Sequence, residues 1–316
     1  MKVIGMVVMA ALAVGCGTGE STSVTIGTGA RGGVYYPYGV ALAGILSEHV
    51  PLAQFTAEET GASVDNLRRI RAGELDMALT LADTLADAVA GRGAFAAEGP
   101  SDVRAVALLY TNYTHVIVRR NSGITSVPEL AGKRVAVGAP GSGTEVIANR
   151  LLEAAGIDPN TGIDRRPIGT AEAAASLAAG EIDAMIVSGG SPTPAITTLM
   201  SRPDLELELL PHADLLPRLE AVYGPRLYRS AAIIASAYPG LTSDVAVIGV
   251  TNVLVASSRL ESDLVESIID ALYRYNETLA ATLPEARGLA WPANNHVAPA
   301  PFHPGAEAYY REHAWR

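Results

Sequence analysis

The chain alternates short apolar runs with longer segments whose apolar residues recur every three or four positions. The run Val24-Thr25-Ile26 precedes a glycine-rich loop and a segment over about 34–49, in which Tyr38, Leu42 and Leu46 have helical spacing. Runs of this kind that alternate with amphipathic helices are typical of a parallel sheet covered by helices. The pattern therefore predicts an α/β fold.

The same outline occurs a second time. Residues 133–138, the loop APGSG and residues 144–156 repeat the order of strand, glycine-rich loop and helix. Residues 63–81 and 170–188 each predict a helix that ends at a glycine and is followed by an apolar strand, since glycine supplies the left-handed conformation past a helix end. We expect two similar lobes rather than one large sheet.

Two long apolar segments, over residues 103–120 and 244–257, predict the connections between these lobes. On this basis lobe 1 comprises residues 22–111 and 252–316, and lobe 2 comprises residues 112–251. Two-lobed α/β proteins usually bind a ligand in the cleft between lobes, at the carboxyl ends of strands.

The N-terminal residues predict export. A short positive start leads into an apolar run that is well below the ~20 residues needed to span a bilayer. Small residues then precede Cys16, the only cysteine. We expect residues 1–15 to be a lipoprotein-type signal peptide, Cys16 to be lipidated and residues 16–23 to be a tether. Ordinary cleavage near Ala13, which leaves a spare thiol, is the alternative.

Composition narrows the possible partners. The 33 acidic residues exceed the 23 lysines and arginines, giving a net charge of −10, whereas nucleic-acid phosphates need a basic face. We therefore expect no nucleic-acid partner. A local positive site on an acidic protein can still hold a small anion.

Two glycine-rich loops, one in each expected lobe, carry the candidate chemistry. Each lies between a strand and a helix start, where unpaired N–H groups and the helix dipole attract a carboxylate or phosphate without a lysine. Arg31 in the first loop and Ser142 and Thr144 in the second are possible additional donors. The alternative is that the glycines serve only the turns.

Enzyme motifs fit these loops poorly. Gly27, Gly29 and Gly32 form G-x-G-x-x-G, but a dinucleotide site also needs an acid about 20 residues further on, where Pro51–Ala53 stands. The second loop, GAPGSGT, has Gly143 where a P-loop needs lysine. The sequence has neither a nucleophile elbow nor a metal-binding motif. We therefore predict no catalysis, no metal and no cofactor.

Polar residues around the first loop have two possible roles. We expect about one of Tyr35 and Tyr36 to contact the ligand, while the other packs under the loop. Thr60, Ser63 and Asn66 lie before or within the first turn of the next helix, where Ser63 equally suits the N-cap position.

The resemblance to a known family is carried, in order from about residue 24 to 310, by TGARGGVYYPYG, TGASVDNL, GELDMAL, ELAGKRVAVGAPGSGTE, GEIDAMIV and HPGAEAYY. These stretches resemble the TAXI family, the extracytoplasmic solute receptors of tripartite ATP-independent periplasmic (TRAP) transporters. The resemblance implies a two-lobed type II periplasmic-binding-protein fold with a hinge and an interlobe ligand cleft.

The family's ligand segments correspond here to residues 28–36, 60–66 and 138–144, with a further loop at 189–192. The candidate ligand-binding residues are Thr28, Gly29, Arg31, Gly33, Tyr35, Tyr36, Thr60, Ser63, Asn66, Asp83, Gly141, Ser142, Gly143, Thr144, Gly190 and Pro192. For Asp83, capping of the short helix that follows is the favoured alternative.

Two positions depart from the family pattern. Leu81-Ala82 replaces a polar pair, and Arg31 replaces a small or hydroxyl residue, adding a possible bidentate clamp for a carboxylate. A ligand with one carboxylate and a partly apolar body suits both changes.

The resemblance implies a receptor that captures a small carboxylate or amino-acid-like solute and delivers it to a TRAP permease. We expect it to lie outside the cytoplasm, in the periplasm, and to attach to the membrane only through its lipid. An enzyme on the same scaffold that acts on a small anion, and a sensor for a signalling partner, are the alternatives.

Overall fold

The computed structural model of the protein describes residues 21–292 and 298–313. The predicted signal peptide, the lipidation of Cys16 and most of the tether lie outside these residues. Within the described part of the chain, no helix combines the length and the apolar content that crossing a bilayer requires.

Within these residues the chain forms a ten-stranded mixed sheet with helices packed on it. The strands are β1 Thr22–Gly27, β2 Ala53–Glu58, β3 Met77–Leu81, β4 Arg104–Arg119, β5 Arg134–Ala136, β6 Asp164–Arg166, β7 Ala184–Gly189, β8 Leu207–Leu209, β9 Tyr228–Ile233 and β10 Val245–Ala256. The helices are α1 Tyr35–His49, α2 Ser63–Ala72, α3 Ala82–Ala90, α4 Gly143–Ala154, α5 Thr170–Ala179, α6 Pro194–Met200, α7 Leu216–Tyr223, α8 Ser262–Arg274, α9 Asn276–Thr282 and α10 Pro304–His313.

The strand order is β2-β1-β3-β10-β4-β7-β5-β6, with β8 beside β4 and β9 beside β10. Strand β1 is parallel to β2 and β3, and β5 is parallel to β6 and β7. Strands β4 and β10 are antiparallel to each other and to their other neighbours. Two small parallel sets of strands are thus joined through two long antiparallel strands into one continuous sheet. The expectation that the lobes would not share one large sheet was therefore wrong, because β3 pairs with β10, β10 with β4, and β4 with β7.

These two strands, β4 and β10, form the hinge region. They pair with each other from Arg104 opposite Ala256 to Tyr113 opposite Gly249. Beyond that point β4 pairs with β7 and β10 pairs with β9. The predicted connecting strands are therefore confirmed. We call the half with β1–β3 lobe 1 and the half with β5–β7 lobe 2; their limits at 111/112 and 251/252 stay a prediction.

The repeated Gly-Glu-x-Asp turn has the same structure in both lobes. Helices α2 and α5 end at Gly73 and Gly180, whose φ angles are 79° and 78°, a conformation that glycine adopts at little cost. Asp76 then accepts the backbone N–H of Thr25 at 2.8 Å, and Asp183 accepts that of Arg134 at 2.8 Å. Each aspartate therefore fixes the register of its strand against the neighbouring strand.

The lobes share part of their apolar core. Leu67 and Leu85 of lobe 1 belong to the same buried cluster as Ile147 and Leu151 of lobe 2. Burial of such side chains stabilises a fold by about 1.5–3 kcal/mol each. This shared cluster holds the two lobes together on the side of α3 and α4.

Candidate ligand-binding cleft

A cavity of about 320 Å³ lies between the lobes. Its walls come from residues at the first turns of α1, α2, α4 and α5, together with the loops that precede these helices. Leu81 at the end of β3, Asn112 on β4, and Ser188 and Gly189 at the end of β7 also line it. The cavity therefore lies at the carboxyl ends of parallel strands, where a two-lobed α/β protein is expected to bind its ligand.

Three of these helix starts leave backbone N–H groups for a ligand. The first N–H groups of α1, α4 and α5 have no partner inside their own helices, and residues of all three first turns line the cavity. In α1, Pro37 removes one of these donors. In α4, the Ser142 hydroxyl accepts the N–H of Glu145 at 3.1 Å, which leaves those of Gly143 and Thr144. Helix α2 differs, because the carbonyl of Gly141 accepts from the N–H groups of Val64 and Asp65 at 3.1 and 3.2 Å.

The charge of the cleft comes mainly from helix dipoles. Of the described residues that line it, none is lysine, arginine or histidine, and Glu172 is the only one with a charged side chain. Each helix start carries about half a positive charge, so the site attracts an anion through its backbone. The described residues also contain no group of three or more His, Cys, Asp or Glu side chains placed to hold a metal ion.

Half of the residues predicted to bind a ligand line this cavity. They are Gly29, Gly33, Tyr35, Thr60, Ser63, Ser142, Gly143 and Thr144. Thr28, Arg31, Tyr36, Asn66, Asp83, Gly141, Gly190 and Pro192 lie outside the lining. The ligand-binding roles of both sets stay predictions.

Arg31 points away from the cleft. Its exposed guanidinium donates from Nε to Glu59 Oε2 at 2.9 Å and lies 4.6 Å from the ring centre of Tyr36. The hydrogen bond from Arg31 holds the pKa of Glu59 below its usual range. The predicted carboxylate clamp is absent from this arrangement, because Glu59 already occupies the guanidinium.

Thr28 and Asn66 hold the first loop in place. Asn66 is buried and donates from Nδ2 to the carbonyls of Thr28 and Leu79, both at 2.8 Å. The Thr60 hydroxyl donates to Asn66 Oδ1 at 2.6 Å. A Cβ at Gly27 would lie 2.7 Å from that oxygen, so the first glycine of the motif is needed for this close approach.

The capping predictions for Ser63 and Asp83 were wrong. Helix α2 has Ala62 at its N-cap, and the Ser63 hydroxyl instead accepts the Leu81 N–H at 3.1 Å. Helix α3 has Leu81 at its N-cap. Asp83 is buried between the lobes and accepts from the hydroxyl of Tyr228 at 3.0 Å. Its location next to a lobe 2 residue could not be inferred from local spacing.

The fourth predicted segment also turns away from the cavity. Gly189 lines the cleft, but a Cβ at Gly190 would lie 2.8 Å from Glu285 Oε1. A cis peptide bond joins Ser191 to Pro192. The loop therefore has Gly189 in the cleft and Gly190 packed against Val34 and Glu285 of lobe 1.

The lobes touch across the cleft in this structure. A Cβ at Gly143 would lie 2.6 Å from the Ser63 hydroxyl oxygen and 2.6 Å from Leu81 Cδ1. At a second contact, a Cβ at Gly32 would lie 3.2 Å from Ala171 Cβ. Glycine at position 143 thus permits the two loops to meet.

Sequence reasoning missed one hydrogen-bonded network on the hinge. The Tyr35 hydroxyl donates to Asn252 Oδ1 at 2.6 Å, and Asn252 Nδ2 donates to Asn112 Oδ1 at 2.9 Å. Asn112 in turn donates to the Ser188 hydroxyl at 3.3 Å. Burial raises the pKa of Tyr35, so its phenol stays protonated as a donor. The signal in the sequence was the presence of one asparagine within each long apolar strand, Asn112 in β4 and Asn252 in β10.

Sequence reasoning also missed the start of α5. Gly169, Thr170, Ala171 and Glu172 line the cleft. The segment 170–188 had been recognised only as a repeat of 63–81. Since residues 60–63 line the same cleft from lobe 1, that repeat itself was the signal.

Solved structures share this two-lobed architecture. PhnD1 from Prochlorococcus marinus (MIT 9301), solved with methylphosphonate, is 12% identical with a TM-score of 0.58 over 92% of this chain and 98% of its own. A protein from Bordetella bronchiseptica RB50 is 15% identical with a TM-score of 0.57 over 93% and 99%. An ancestral arginine-binding protein bound to arginine is 13% identical with a TM-score of 0.52 over 83% and 98%.

At these identities the likeness concerns the fold, and it confirms the predicted two-lobed α/β fold of periplasmic binding proteins. The sequence itself matches the profile of the NMT1-like family over residues 26–313. This match extends from β1 to the last helix and includes every helix start that lines the cleft, so the protein belongs to the NMT1-like family.

Proposed function

We propose that the protein is an extracytoplasmic solute receptor that captures a small carboxylate or amino-acid-like solute between its lobes. The observation that carries this proposal is the convergence of three helix starts on an interlobe cleft that has no basic lining side chain among the described residues. Backbone N–H groups and helix dipoles hold small anions in this way.

The side chains that line the cleft indicate what the rest of the solute, apart from its carboxylate, is like. Leu81, Val34 and several alanines give the cleft an apolar surface, which suits a compact, partly apolar molecule. Glu172 lies at the first turn of α5 and offers a carboxylate to an ammonium or hydroxyl group. A carboxylate bound by the helix starts and an amino group near Glu172 would both be accommodated, as in an amino acid.

Transport follows from lobe closure. A solute that contacts both lobes favours the arrangement in which they touch, and we propose that this arrangement docks on a TRAP permease. The TAXI resemblance supports this choice of permease. Uptake into vesicles that contain receptor and permease should then need an ion gradient and no ATP; uptake that requires ATP would contradict it.

We further propose that the mature protein is a lipoprotein anchored at Cys16. Several acyl chains together give stable membrane attachment. In cells, Cys16→Ser should therefore move the protein to the soluble fraction. Membrane association that persists in this variant would contradict the lipid anchor and leave the solute-binding proposal intact.

The solute is best found by thermal shift of the purified mature protein against carboxylates, amino acids, sulfonates and phosphonates. A solute at 100 times its Kd stabilises the folded form by about 2.7 kcal/mol. We expect hits among the carboxylates or amino acids. Stabilisation by sulfonates or phosphonates alone would replace the proposed solute class, and conversion of a hit, detected by mass spectrometry, would favour the enzyme alternative.

A matched pair of variants tests the anion site. Ala171→Asp places a negative charge in the first turn of α5, inside the cleft, whereas Ala171→Asn has nearly the same shape without charge. For an anionic hit, calorimetry should show an affinity at least tenfold lower in Ala171→Asp than in Ala171→Asn, because both variants add the same bulk beside Gly32 and differ only in charge. Equal affinities in both variants would contradict binding at this helix start.

A further inference from the structure

A second cavity, of about 260 Å³, lies behind the hinge. Successive side chains of a strand point to opposite faces of the sheet. On β4, Asn112 lines the ligand cleft, while Thr111 and Tyr113 line the second cavity. We call this second space the back cavity; its polar walls also include Tyr110, Ser191, Arg229 and Glu285.

Both lobes contribute to the back cavity. Tyr110 and Glu285 belong to lobe 1, whereas Ser191 and Arg229 belong to lobe 2. The carboxylate of Glu285 packs directly against lobe 2, since a Cβ at Gly190 would lie 2.8 Å from its Oε1. A molecule in this space would therefore contact both lobes at once.

A buried hydroxyl in its wall lacks a partner. Tyr110 is 3% exposed, and its hydroxyl makes no hydrogen bond with the described residues. The same is true of the hydroxyl of Tyr38, whose ring centre lies 5.3 Å from that of Tyr110. Leaving a buried hydroxyl without a hydrogen-bond partner destabilises the fold. The two hydroxyls belong to neighbouring rings, and Tyr110 is one of the residues that line the back cavity, which favours a polar occupant there.

The back cavity is lined by one acidic and one basic side chain. Among its described lining residues Glu285 is the only acid and Arg229 the only base. Arg229 donates to the Thr251 hydroxyl at the exposed side, and no ion pair within the described residues includes Glu285. Burial raises the pKa of Glu285, and a cation beside this carboxylate would offset that cost.

We propose that the back cavity is a second ligand site, for a small zwitterion that carries one ammonium and one carboxylate group. The ammonium pairs with Glu285, and the carboxylate pairs with Arg229. The hydroxyl of Tyr110 completes the site as a donor or an acceptor. The opposite charges, the unpartnered phenol and the cavity volume together carry this assignment.

The two sites are physically connected. The loop that follows β7 places Gly189 in the ligand cleft and Ser191 in the back cavity. Asn252, which accepts from Tyr35 in the cleft, donates to the carbonyl of Tyr110 at 3.0 Å. In the arrangement in which the cleft loops touch, an occupant of the back cavity contacts both lobes. Its binding should therefore favour closure. The two ligands are then thermodynamically linked. The back-cavity ligand raises the affinity for the cleft solute by the same factor as the cleft solute raises the affinity for the back-cavity ligand.

The coupling rests on the proposed function, whereas the existence of the second site does not. The probes are glycine, β-alanine and 4-aminobutyrate, which separate the two charges by increasing distances. Calorimetric titrations use wild type, Glu285→Gln, Arg229→Gln and Ala171→Asp, the last as a variant altered only in the cleft.

We expect at least one probe to bind wild type and Ala171→Asp with affinities within about threefold. The same probe should lose at least tenfold affinity in both Glu285→Gln and Arg229→Gln. The second site is overturned if no probe binds wild type, or if binding is lost in Ala171→Asp and kept in Glu285→Gln, which places the probe in the cleft. The first outcome leaves other carboxylates open as cleft solutes, and the second overturns the back cavity while supporting the cleft proposal, so the two proposals fail separately.

Discussion

Asp83 on α3 and Arg150 on α4 form a buried ion pair between the lobes, with Asp83 Oδ2 3.6 Å from Arg150 Nη1. Asp83 is 0% exposed and Arg150 is 6% exposed. Arg150 also pairs with Asp87 and donates to the hydroxyl of Tyr228 at 2.6 Å. Burial raises the pKa of Asp83, and the Arg150 charge opposes this shift. One arginine of lobe 2 therefore contacts two carboxylates of lobe 1, and Asp87 is paired in addition with Arg92 at 2.8 Å.

Removal of Arg150 should be strongly destabilising. In Arg150→Met the buried carboxylate of Asp83 loses the one cation that pairs with it among the described residues, whereas Asp87 keeps Arg92 at 2.8 Å. Breaking a buried pair in this way costs about 3–5 kcal/mol. Asp83→Asn should cost less, since Asp87 still pairs with the arginine. Urea unfolding measures both. The control is Arg202→Met, which breaks the exposed pair with Asp204 and should change stability by less than about 1 kcal/mol; equal losses in the two arginine variants would contradict a special role for the buried pair.

Gly143→Ala should prevent the lobes from meeting. The new Cβ would lie 2.6 Å from the Ser63 hydroxyl oxygen, so the closed arrangement must open or shift. We expect at least a tenfold loss of affinity for any cleft solute, measured by calorimetry, with the fold retained. Gly44→Ala is the control, because its Cβ has nothing within 4 Å and alanine favours a helix by about 1 kcal/mol. Wild-type affinity in Gly143→Ala would show that solute binds without this contact.

Arg31→Ala should have little effect on solute affinity. The Arg31 and Glu59 side chains are 70% and 44% exposed, and their pair lies outside the cleft lining. Calorimetry should give a change of about twofold or less, as should Glu59→Gln. A tenfold loss in Arg31→Ala alone would mean that the guanidinium leaves Glu59 and turns to the ligand, as the sequence had suggested.

Acid should destabilise lobe 2 through two histidines. Burial lowers the pKa of His115 and of His212 from 6.5 to about 4, because the charged ring would lose its hydration. Between these values the unfolded chain binds protons that the folded chain does not. The free energy of unfolding therefore decreases as the pH falls from about 6.5 towards 4, by at most about 3 kcal/mol for each histidine.

Urea unfolding at a series of pH values measures this dependence. His212→Gln should reduce the slope of stability against pH by the contribution of one proton, whatever its effect on stability at neutral pH. A further His115→Gln should remove a second proton. An unchanged slope in His212→Gln would contradict uptake at this residue.

Patterns that are local in the sequence predicted most of the fold. The Gly-Glu-x-Asp turns around Asp76 and Asp183 and the two apolar strands over 103–120 and 244–257 are local in sequence, and the structure has them as predicted. Their physical basis is the spacing of apolar residues and the backbone freedom of glycine. Such features need no knowledge of the partner lobe.

Side-chain partners could not be predicted in this way. Arg150 and Asp87 are separated by 63 positions, and nothing near either residue indicates the other. Arg31 lies in the predicted loop, yet its direction depends on Glu59 after β2. The glycines and hydroxyls of the cleft were easier to find, since a helix start exposes the backbone N–H groups of whatever residues stand there.

The pairing of β4 with β10 has a consequence for the redesign of the chain. Thr111 is opposite Thr251 in the register of β4 and β10, so the polypeptide leaves lobe 1 and returns to it at one place. Lobe 2 is thus topologically an insert within lobe 1. A chimera that exchanges this insert between two receptors would take one wall of its cleft from each parent, with two adjacent junctions on paired strands.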